Sequence, residues 1–198
     1  MKKIGITGGV GAGKSRVLAF LEERYQAAVY EADKIAHQVQ EPGEDCYRAV
    51  AAHFGQGILT PEGAIDRKKL GRIVFSDQKE LAVLNGIVHP AVNRRIRELM
   101  ALEEKKGTAL FILEAALLTQ PVYREMLDEI WYIHVDVAVR EARLAASRGY
   151  APEQTAAMMA SQPEEAEFTA ACDHVIENGG AFEETKRQIE ALLAEVKN

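Results

Sequence analysis

The chain has 198 residues, of which 47% are hydrophobic, so it has the length and apolar content of one folded domain. Its formal net charge of −6 argues against general affinity for nucleic acid, and no apolar run is long enough to span a bilayer. Cys46 and Cys172 are too few for a disulfide framework or a zinc cluster. We therefore expect a cytoplasmic protein with neither nucleic-acid nor membrane partners.

The first predicted strand, Lys3–Thr7, leads directly into a glycine-rich loop. Residues 8–15 read GGVGAGKS and fit the phosphate-loop pattern G-x-x-x-x-G-K-[ST]. Glycines let main-chain N–H groups approach phosphate oxygens, and the first N–H groups of the helix that follows can bind the same anion. A plain glycine-rich turn is the alternative, and the complete motif between a strand and an amphipathic helix disfavours it.

This loop supplies most of the predicted nucleotide site. Lys14 is predicted to reach the β- and γ-phosphates as a catalytic residue, and the Ser15 hydroxyl to coordinate Mg²⁺. The residues assigned to nucleotide binding are Gly9, Val10, Gly11, Ala12, Gly13, Lys14, Ser15 and Arg16.

A second strand is predicted at Ala27–Tyr30, and a helix at Lys34–Gln40. Asp33 lies between them, where a carboxylate can accept the proton of an attacking hydroxyl. Asp is also a preferred N-cap residue, so these residues alone leave both interpretations open.

From about residue 42 to Lys106, helical periodicity dominates and no clear strand appears. Four helices are predicted, with the third ending before Pro90 and the fourth containing Val92, Ile96 and Met100. His89 would then lie at a helix–helix junction, where a structural role is favoured over a catalytic one.

The remaining segments alternate strands with helices. Strands are predicted at Thr108–Leu113, Glu129–Val135 and His174–Ile176, and helices around Val139–Leu144, Pro152–Ser161 and Phe182–Val196. This order predicts an α/β fold with a parallel sheet and right-handed crossovers. Ligands bind at the carboxyl ends of such strands, so the phosphate loop, Asp33 and Glu114 are expected in one cleft.

Two further side-chain types suit phosphate chemistry. Glu114, after the third strand, can hold Mg²⁺ through water, or it can be an acidic residue at the start of a helix. Arg140, Arg143 and Arg148 carry the planar guanidinium that contacts phosphate oxygens in pairs. Arg148, next to Gly149, is predicted to be the catalytic arginine of a lid that excludes water.

In these features the chain resembles the dephospho-CoA kinase family over nearly its whole length. Besides residues 6–15, the resemblance is carried by Ala32-Asp33-Lys34-Ile35-Ala36-His37, Asp66-Arg67-Lys68-Lys69-Leu70, His89-Pro90, Leu117-Leu118 and Asp173-His174-Val175-Ile176-Glu177-Asn178. It implies a P-loop NTPase-type parallel sheet flanked by helices, with a helical substrate-binding insertion and a short lid. The implied single domain has a core at about 1–35 and 107–198, an insertion at about 36–106 and a lid at about 140–162.

The resemblance also implies a reaction. ATP, with Mg²⁺, would phosphorylate the ribose 3′-hydroxyl of dephospho-CoA, the last step of coenzyme A synthesis. Thr7, Asp33, Arg67 and His89 would contact the acceptor, and Asn178 would lie beside the base of ATP. The partners would be these small molecules, and the protein a monomer or a weak homo-oligomer. The alternatives are another small-molecule kinase and a nucleotide-binding regulator with little turnover.

Several positions depart from the usual family pattern: Arg16, Ala116, Met158 and Met159, Phe168 and Cys172. Arg16 stands where threonine is usual, and Ala116 where proline is common. Met158, Met159 and Phe168 replace positions that are commonly basic, which predicts a less charged lid and adenine side.

Overall fold

The computed structural model describes residues 1–116, 118, 121–148, 151–160, 162 and 164–195, except for the side chains of residues 147, 148, 152 and 195. The strands are β1 Lys2–Thr7, β2 Ala28–Glu31, β3 Leu110–Glu114, β4 Glu129–His134 and β5 His174–Glu177. The helices are α1 Lys14–Tyr25, α2 Ala32–Gln38, α3 Asp45–Phe54, α4 Arg67–Ser76, α5 Gln78–Lys106, α6 Pro121–Met126, α7 Val137–Arg148, α8 Pro152–Ala160, α9 Glu165–Ala171 and α10 Phe182–Glu195, with a 3₁₀ turn at Gln56–Ile58.

The chain forms two compact units. The sheet unit comprises Met1–Val29 and Gly107–Asn198, and the helical unit comprises Tyr30–Lys106. Among the described residues, no helix is both long and apolar enough to cross a membrane.

The five strands form one sheet in the order β2-β3-β1-β4-β5. β1 pairs in parallel with β3 and β4, and β4 pairs in parallel with β5. The central strands are apolar on both faces, as a sheet covered by helices requires. Ile4, Ile112, Trp131 and Ile133 are fully buried in its core, against Val17 and Leu21 of α1 among others. The α/β prediction is therefore confirmed.

The helical unit is organised along α5, which corrects the sequence prediction of two helices separated at Pro90. Pro90 lies inside one helix of 29 residues. Its missing N–H and its ring weaken only the bond to the carbonyl four residues earlier. The buried stripe Val88, Val92, Ile96 and Met100 continues at four-residue spacing across the proline, and its packing holds the helix together.

One buried carboxylate lies near the end of α5. Glu103 is 5% exposed and accepts hydrogen bonds from the Tyr30 hydroxyl at 2.9 Å and from Lys106 Nζ at 2.7 Å. Burial and this carboxylate together raise the pKa of Tyr30 to about 12.

Two short helices of the sheet unit, α6 and α9, were not predicted from the sequence. Each has only six or seven residues, too few for a clear periodicity. α9 begins with a capping box between Glu164 and Glu167 and buries one large side chain, Phe168. Phe168 stacks on Tyr132 with a ring separation of 5.0 Å, which explains an apolar residue at this position.

Candidate active site

The phosphate loop connects the carboxyl end of β1 to the first turn of α1. Gly13 is the N-cap of α1, with φ 81°, and neither a side-chain cap nor a first-turn acidic residue competes for the helix N–H groups. A Cβ on Gly8 would lie 2.7 Å from the carbonyl oxygen of Ile133, so the loop packs directly on β4. The positive end of the α1 dipole is therefore presented to the loop, as an anion site requires.

Side chains from later segments hold two carbonyl groups of the loop. Arg140 Nε donates to the Val10 carbonyl at 2.8 Å, and Asn178 Nδ2 donates to the Ala12 carbonyl at 2.7 Å. Gln162 Oε1 accepts from the Val10 N–H at 3.1 Å and from Arg140 Nη2 at 2.9 Å. The loop is therefore clamped by α7, by the residue after β5, and by the segment between α8 and α9.

Lys14 lies back along the same loop. Its Nζ donates to the Gly8 carbonyl at 2.7 Å and is 3.5 Å from Glu114 Oε1, with side-chain exposures of 18% and 14%. Glu114 is the last residue of β3, so its alternative interpretation as a helix-start acid is wrong. The structure places a cation and a carboxylate together beside the loop.

The two hydroxyl residues that flank the loop differ in exposure. Thr7 is 1% exposed and donates to the Ala116 carbonyl at 3.2 Å. Ser15 is exposed in the first turn of α1. Arg16, also exposed, places its guanidinium carbon 4.0 Å from the centre of the Phe182 ring.

The predicted magnesium ligands supply oxygen donors of the right kind. Within the described ranges, no three His, Cys, Asp or Glu side chains are grouped to hold a metal ion. Mg²⁺ commonly takes one or two protein oxygens and completes its shell with phosphate and water. The Ser15 hydroxyl and the Glu114 carboxylate fit that pattern, in which a nucleotide provides the other ligands.

The predicted acceptor residues other than Thr7 lie in the helical unit. Asp33 is exposed in the first turn of α2, whose N-cap is Glu31, so the N-cap interpretation of Asp33 is wrong. Arg67 is the first residue of α4 and is exposed, behind the Asp66 N-cap that accepts from Lys68 N and Lys69 N. His89 is exposed within α5 and does not lie at a helix junction.

The arginines are arranged differently from the sequence expectation. The backbone of Arg148 ends α7, but its side chain, like residues Gly149 and Tyr150, lies outside what the structure describes. Arg140 contacts the phosphate loop directly, and Arg143 Nη2 donates to the Asn178 carbonyl at 2.8 Å.

Sequence reasoning missed two residues of this site, Gln162 and Thr185. Thr185 is fully buried, with its hydroxyl oxygen 2.9 Å from Asn178 Oδ1. A signal was present for it: Thr185 is a polar residue on the apolar face of α10, between Phe182 and Ile189. Gln162 stands in a segment without periodicity and carried no such signal.

The site is a glycine-rich loop between a parallel strand and a helix N-terminus, with a lysine folded over the loop and a carboxylate beside it. This arrangement defines a nucleotide-binding protein of the P-loop class. The dephospho-CoA kinase family model matches residues 2–184. The chain belongs to the dephospho-CoA kinase family.

Individual relatives agree with the family match. A dephospho-CoA kinase of Symbiobacterium thermophilum is 38% identical over 96% of this chain and 80% of its own length. One of Leifsonia xyli subsp. xyli is 40% identical over 98% of each chain. A crystal structure of a Thermus thermophilus protein is similar with a TM-score of 0.80 and 30% identity, over 98% of this chain and 97% of the other.

Proposed function

We propose that this protein transfers the γ-phosphoryl group of ATP to the ribose 3′-hydroxyl of dephospho-CoA, giving CoA and ADP. The observation that carries the proposal is the family match over residues 2–184, joined to a phosphate loop whose carbonyl groups are held from outside. The acceptor oxygen forms a bond to the γ-phosphorus while the bond to the leaving ADP oxygen breaks, and the hydroxyl proton is released.

On the donor side, the chain supplies positive charge and main-chain donors. Residues 9–16 bind the phosphates, and Lys14 exchanges its contact with the Gly8 carbonyl for phosphate oxygens. Ser15 and Glu114 hold Mg²⁺, which when bound neutralises charge on the phosphates. Arg148 and the lid at about residues 140–162 exclude water, which would otherwise accept the phosphoryl group.

On the acceptor side, Asp33 takes the hydroxyl proton, and Thr7, Arg67 and His89 contact dephospho-CoA. The exposure of Asp33 in the first turn of α2 supports this role, because a carboxylate there is accessible to a substrate hydroxyl. Arg67 is suited to a phosphate group of the acceptor by its planar guanidinium.

The proposal also covers the cellular location and the oligomeric state of the protein. The free cysteines Cys46 and Cys172 support a reducing, cytoplasmic location. We expect a monomer or a weak homo-oligomer, which light scattering of the purified protein measures directly.

The direct test is coupled detection of ADP release with ATP, Mg²⁺ and a panel of acceptors. We expect turnover with dephospho-CoA and little with nucleosides or nucleotides that lack its pantetheine arm. ADP release at the background rate with dephospho-CoA would refute the proposal, and preference for another acceptor would replace it with a different kinase activity.

Two substitutions separate the donor and acceptor roles. Lys14→Ala is expected to lower kcat by about 100-fold or more and to weaken ATP binding, because it removes a phosphate contact. Asp33→Asn is expected to lower kcat while calorimetry shows unchanged ATP affinity, because Asp33 acts on the acceptor. Equal loss of ATP affinity in both variants would contradict these assignments.

A further inference from the structure

Asn178, predicted to lie beside the base of ATP, has its carboxamide engaged inside the protein. The residue is 4% exposed, with Nδ2 on the Ala12 carbonyl at 2.7 Å and Oδ1 at 2.9 Å from the Thr185 hydroxyl. Its own N–H donates to the His134 carbonyl at 2.9 Å, and its carbonyl accepts from Arg143. These contacts fix the residue from four directions.

The orientation of the carboxamide follows from the hydrogen-bond chemistry. A main-chain carbonyl only accepts, so the amide nitrogen of Asn178 must face Ala12 and its oxygen must face Thr185. The Thr185 hydroxyl is fully buried and also lies 3.0 Å from the Glu177 carbonyl. Its single proton is therefore shared between the Glu177 carbonyl and Asn178 Oδ1. Thr185 therefore holds Asn178 in the rotamer that reaches the loop.

The contact at Ala12 has a consequence for the next residue. In a trans peptide the carbonyl group and the following N–H point in opposite directions, and the described chain has no cis peptide bond. With the Ala12 carbonyl drawn to Asn178, the Gly13 N–H is directed to the opposite side of the loop. The same geometry applies at Val10, whose carbonyl is held by Arg140 and whose neighbour is Gly11.

Gly13 fits this arrangement closely. Its φ of 81° lies in the left-handed region, and an added Cβ would lie 2.7 Å from Asn178 Nδ2. A glycine is thus required both by the backbone angle and by the close approach of the carboxamide. Gly13 is also the N-cap of α1, where the N–H groups that bind anions begin.

We propose that Asn178 and Thr185 are positioning residues that orient the Ala12–Gly13 peptide, so that the Gly13 N–H is preset to donate to a nucleotide phosphate. Presetting a main-chain donor removes the ordering cost that nucleotide binding would otherwise carry. This inference rests on the proposed binding of nucleotide at the loop. It gives Asn178 a positioning role in place of the predicted contact with the base of ATP.

The test measures ADP affinity by calorimetry, with thermal unfolding recorded for each variant. Asn178→Ala is expected to raise the Kd for ADP about tenfold, and Thr185→Val about fivefold, because each releases the peptide. Thr185→Ser retains the hydroxyl and is expected to stay within about twofold of the original Kd. The Kd for dephospho-CoA is expected to be unchanged in all three.

A matched control distinguishes positioning from general stability. Glu129→Gln removes a carboxylate charge at the opposite edge of the same sheet, where Glu129 accepts from Lys2 and Trp131, so it should lower stability without changing the Kd for ADP. If Asn178→Ala and Thr185→Val lower the melting temperature as Glu129→Gln does but leave the Kd for ADP unchanged, the proposal is overturned.

A measurement on the unsubstituted protein makes the test independent of variant folding. With nitrogen-15 in asparagine and glycine, ADP should shift the Gly13 amide strongly, while the Asn178 side-chain amide stays slowly exchanging and shows no contact with adenine. A contact between that side chain and adenine would overturn the proposal. ADP binding without turnover of dephospho-CoA would refute only the proposed acceptor, whereas no ADP binding would refute both proposals.

Discussion

The two edges of the parallel sheet in the sheet unit use polar groups in different ways. At the amino edge, Glu129 accepts from Lys2 Nζ and from the Trp131 indole N–H at 2.9 Å, which links β4 to β1. At the carboxyl edge, Asn178 and Arg140 hold carbonyl groups of the phosphate loop and turn the adjacent N–H groups away. The bonds at the first edge join two strands of the sheet, whereas we propose that those at the second orient main-chain N–H donors toward a nucleotide phosphate.

The stretch from Asp173 to Asn178 shows both uses within a single strand. Asp173, just before β5, accepts from the Ile130 N–H at 2.7 Å and from Arg124 Nη1 at 2.6 Å. Asn178, just after β5, holds the loop. A stretch of six residues therefore holds the start of β5 to β4 at one end and the phosphate loop at the other.

The largest effect on stability is expected at Asp173. Asp173→Ala leaves the Ile130 N–H and the Arg124 guanidinium without this carboxylate and should cost about 2 kcal/mol of unfolding free energy. Urea unfolding followed by the fluorescence of Trp131 measures it. Asp173→Asn, which keeps an acceptor oxygen, is the control. A changed Kd for ADP in folded Asp173→Ala would contradict the idea that the amino edge contributes to stability alone.

A smaller effect, dependent on acid, is expected at Glu129. Burial alone would raise the pKa of Glu129, but the hydrogen bonds from Lys2 and Trp131 and the charges of Lys2 and His174 lower it. Its contribution is therefore present above the unfolded pKa and is lost as the pH falls through the folded pKa.

Glu129→Gln should accordingly reduce stability by about 1 kcal/mol at neutral pH, with the difference shrinking as the pH falls through the folded pKa of Glu129. Urea unfolding across this range measures the convergence. A constant difference at every pH would show that packing, and not the carboxylate charge, carries the contribution.

The smallest effect is expected at His134, on the carboxyl edge, and its dependence on pH is opposite to that of Glu129. Burial alone would lower the pKa of His134, but the hydrogen bond with Glu177 and the charges of Glu177, Glu165 and Asp136 raise it. Nδ1 lies 2.7 Å from Glu177 and Nε2 lies 3.1 Å from Glu165, so the charged ring bridges β5 and α9.

This contribution is present below the unfolded pKa and is lost as the pH rises through the folded pKa. His134→Gln should reduce stability by less than about 1 kcal/mol at pH 6 and by still less at pH 9. A deficit that grows with pH would contradict the charged bridge. Thr185→Ser, which changes no charged group, is the control.

Features that depend on interactions between residues close together in the chain were predicted from the sequence, and features that depend on distant residues were not. The α/β class and the phosphate loop were predicted because strand alternation, glycine spacing and helix periodicity are local properties. The break expected at Pro90 was wrong, because the buried stripe Val88, Val92 and Ile96 belongs to tertiary packing, which outweighs a local cost. α6 and α9 were missed for the same reason, since their few residues are stabilised by what they pack on.

The candidate site divides in the same way. The sequence named Lys14, Ser15, Asp33 and Glu114 as residues able to carry phosphate chemistry, and their roles stay predictions. It favoured Arg148 over Arg140 from its position before a glycine, whereas the structure places Arg140 on the Val10 carbonyl. Gln162 has no local motif that distinguishes it from other polar residues, and Thr185 has only its position on the apolar face of α10.

By itself, the sequence determined the covalent pattern of the anion cradle and the order of strands and helices around it, because both depend on residues close together in the chain. Only the tertiary structure decided which distant side chains hold the cradle in shape. The contact from Asn178 to Ala12 spans 166 residues and the contact from Arg140 to Val10 spans 130. Neither follows from residue type, because a hydrogen bond depends on distance and direction that the folded sheet alone provides.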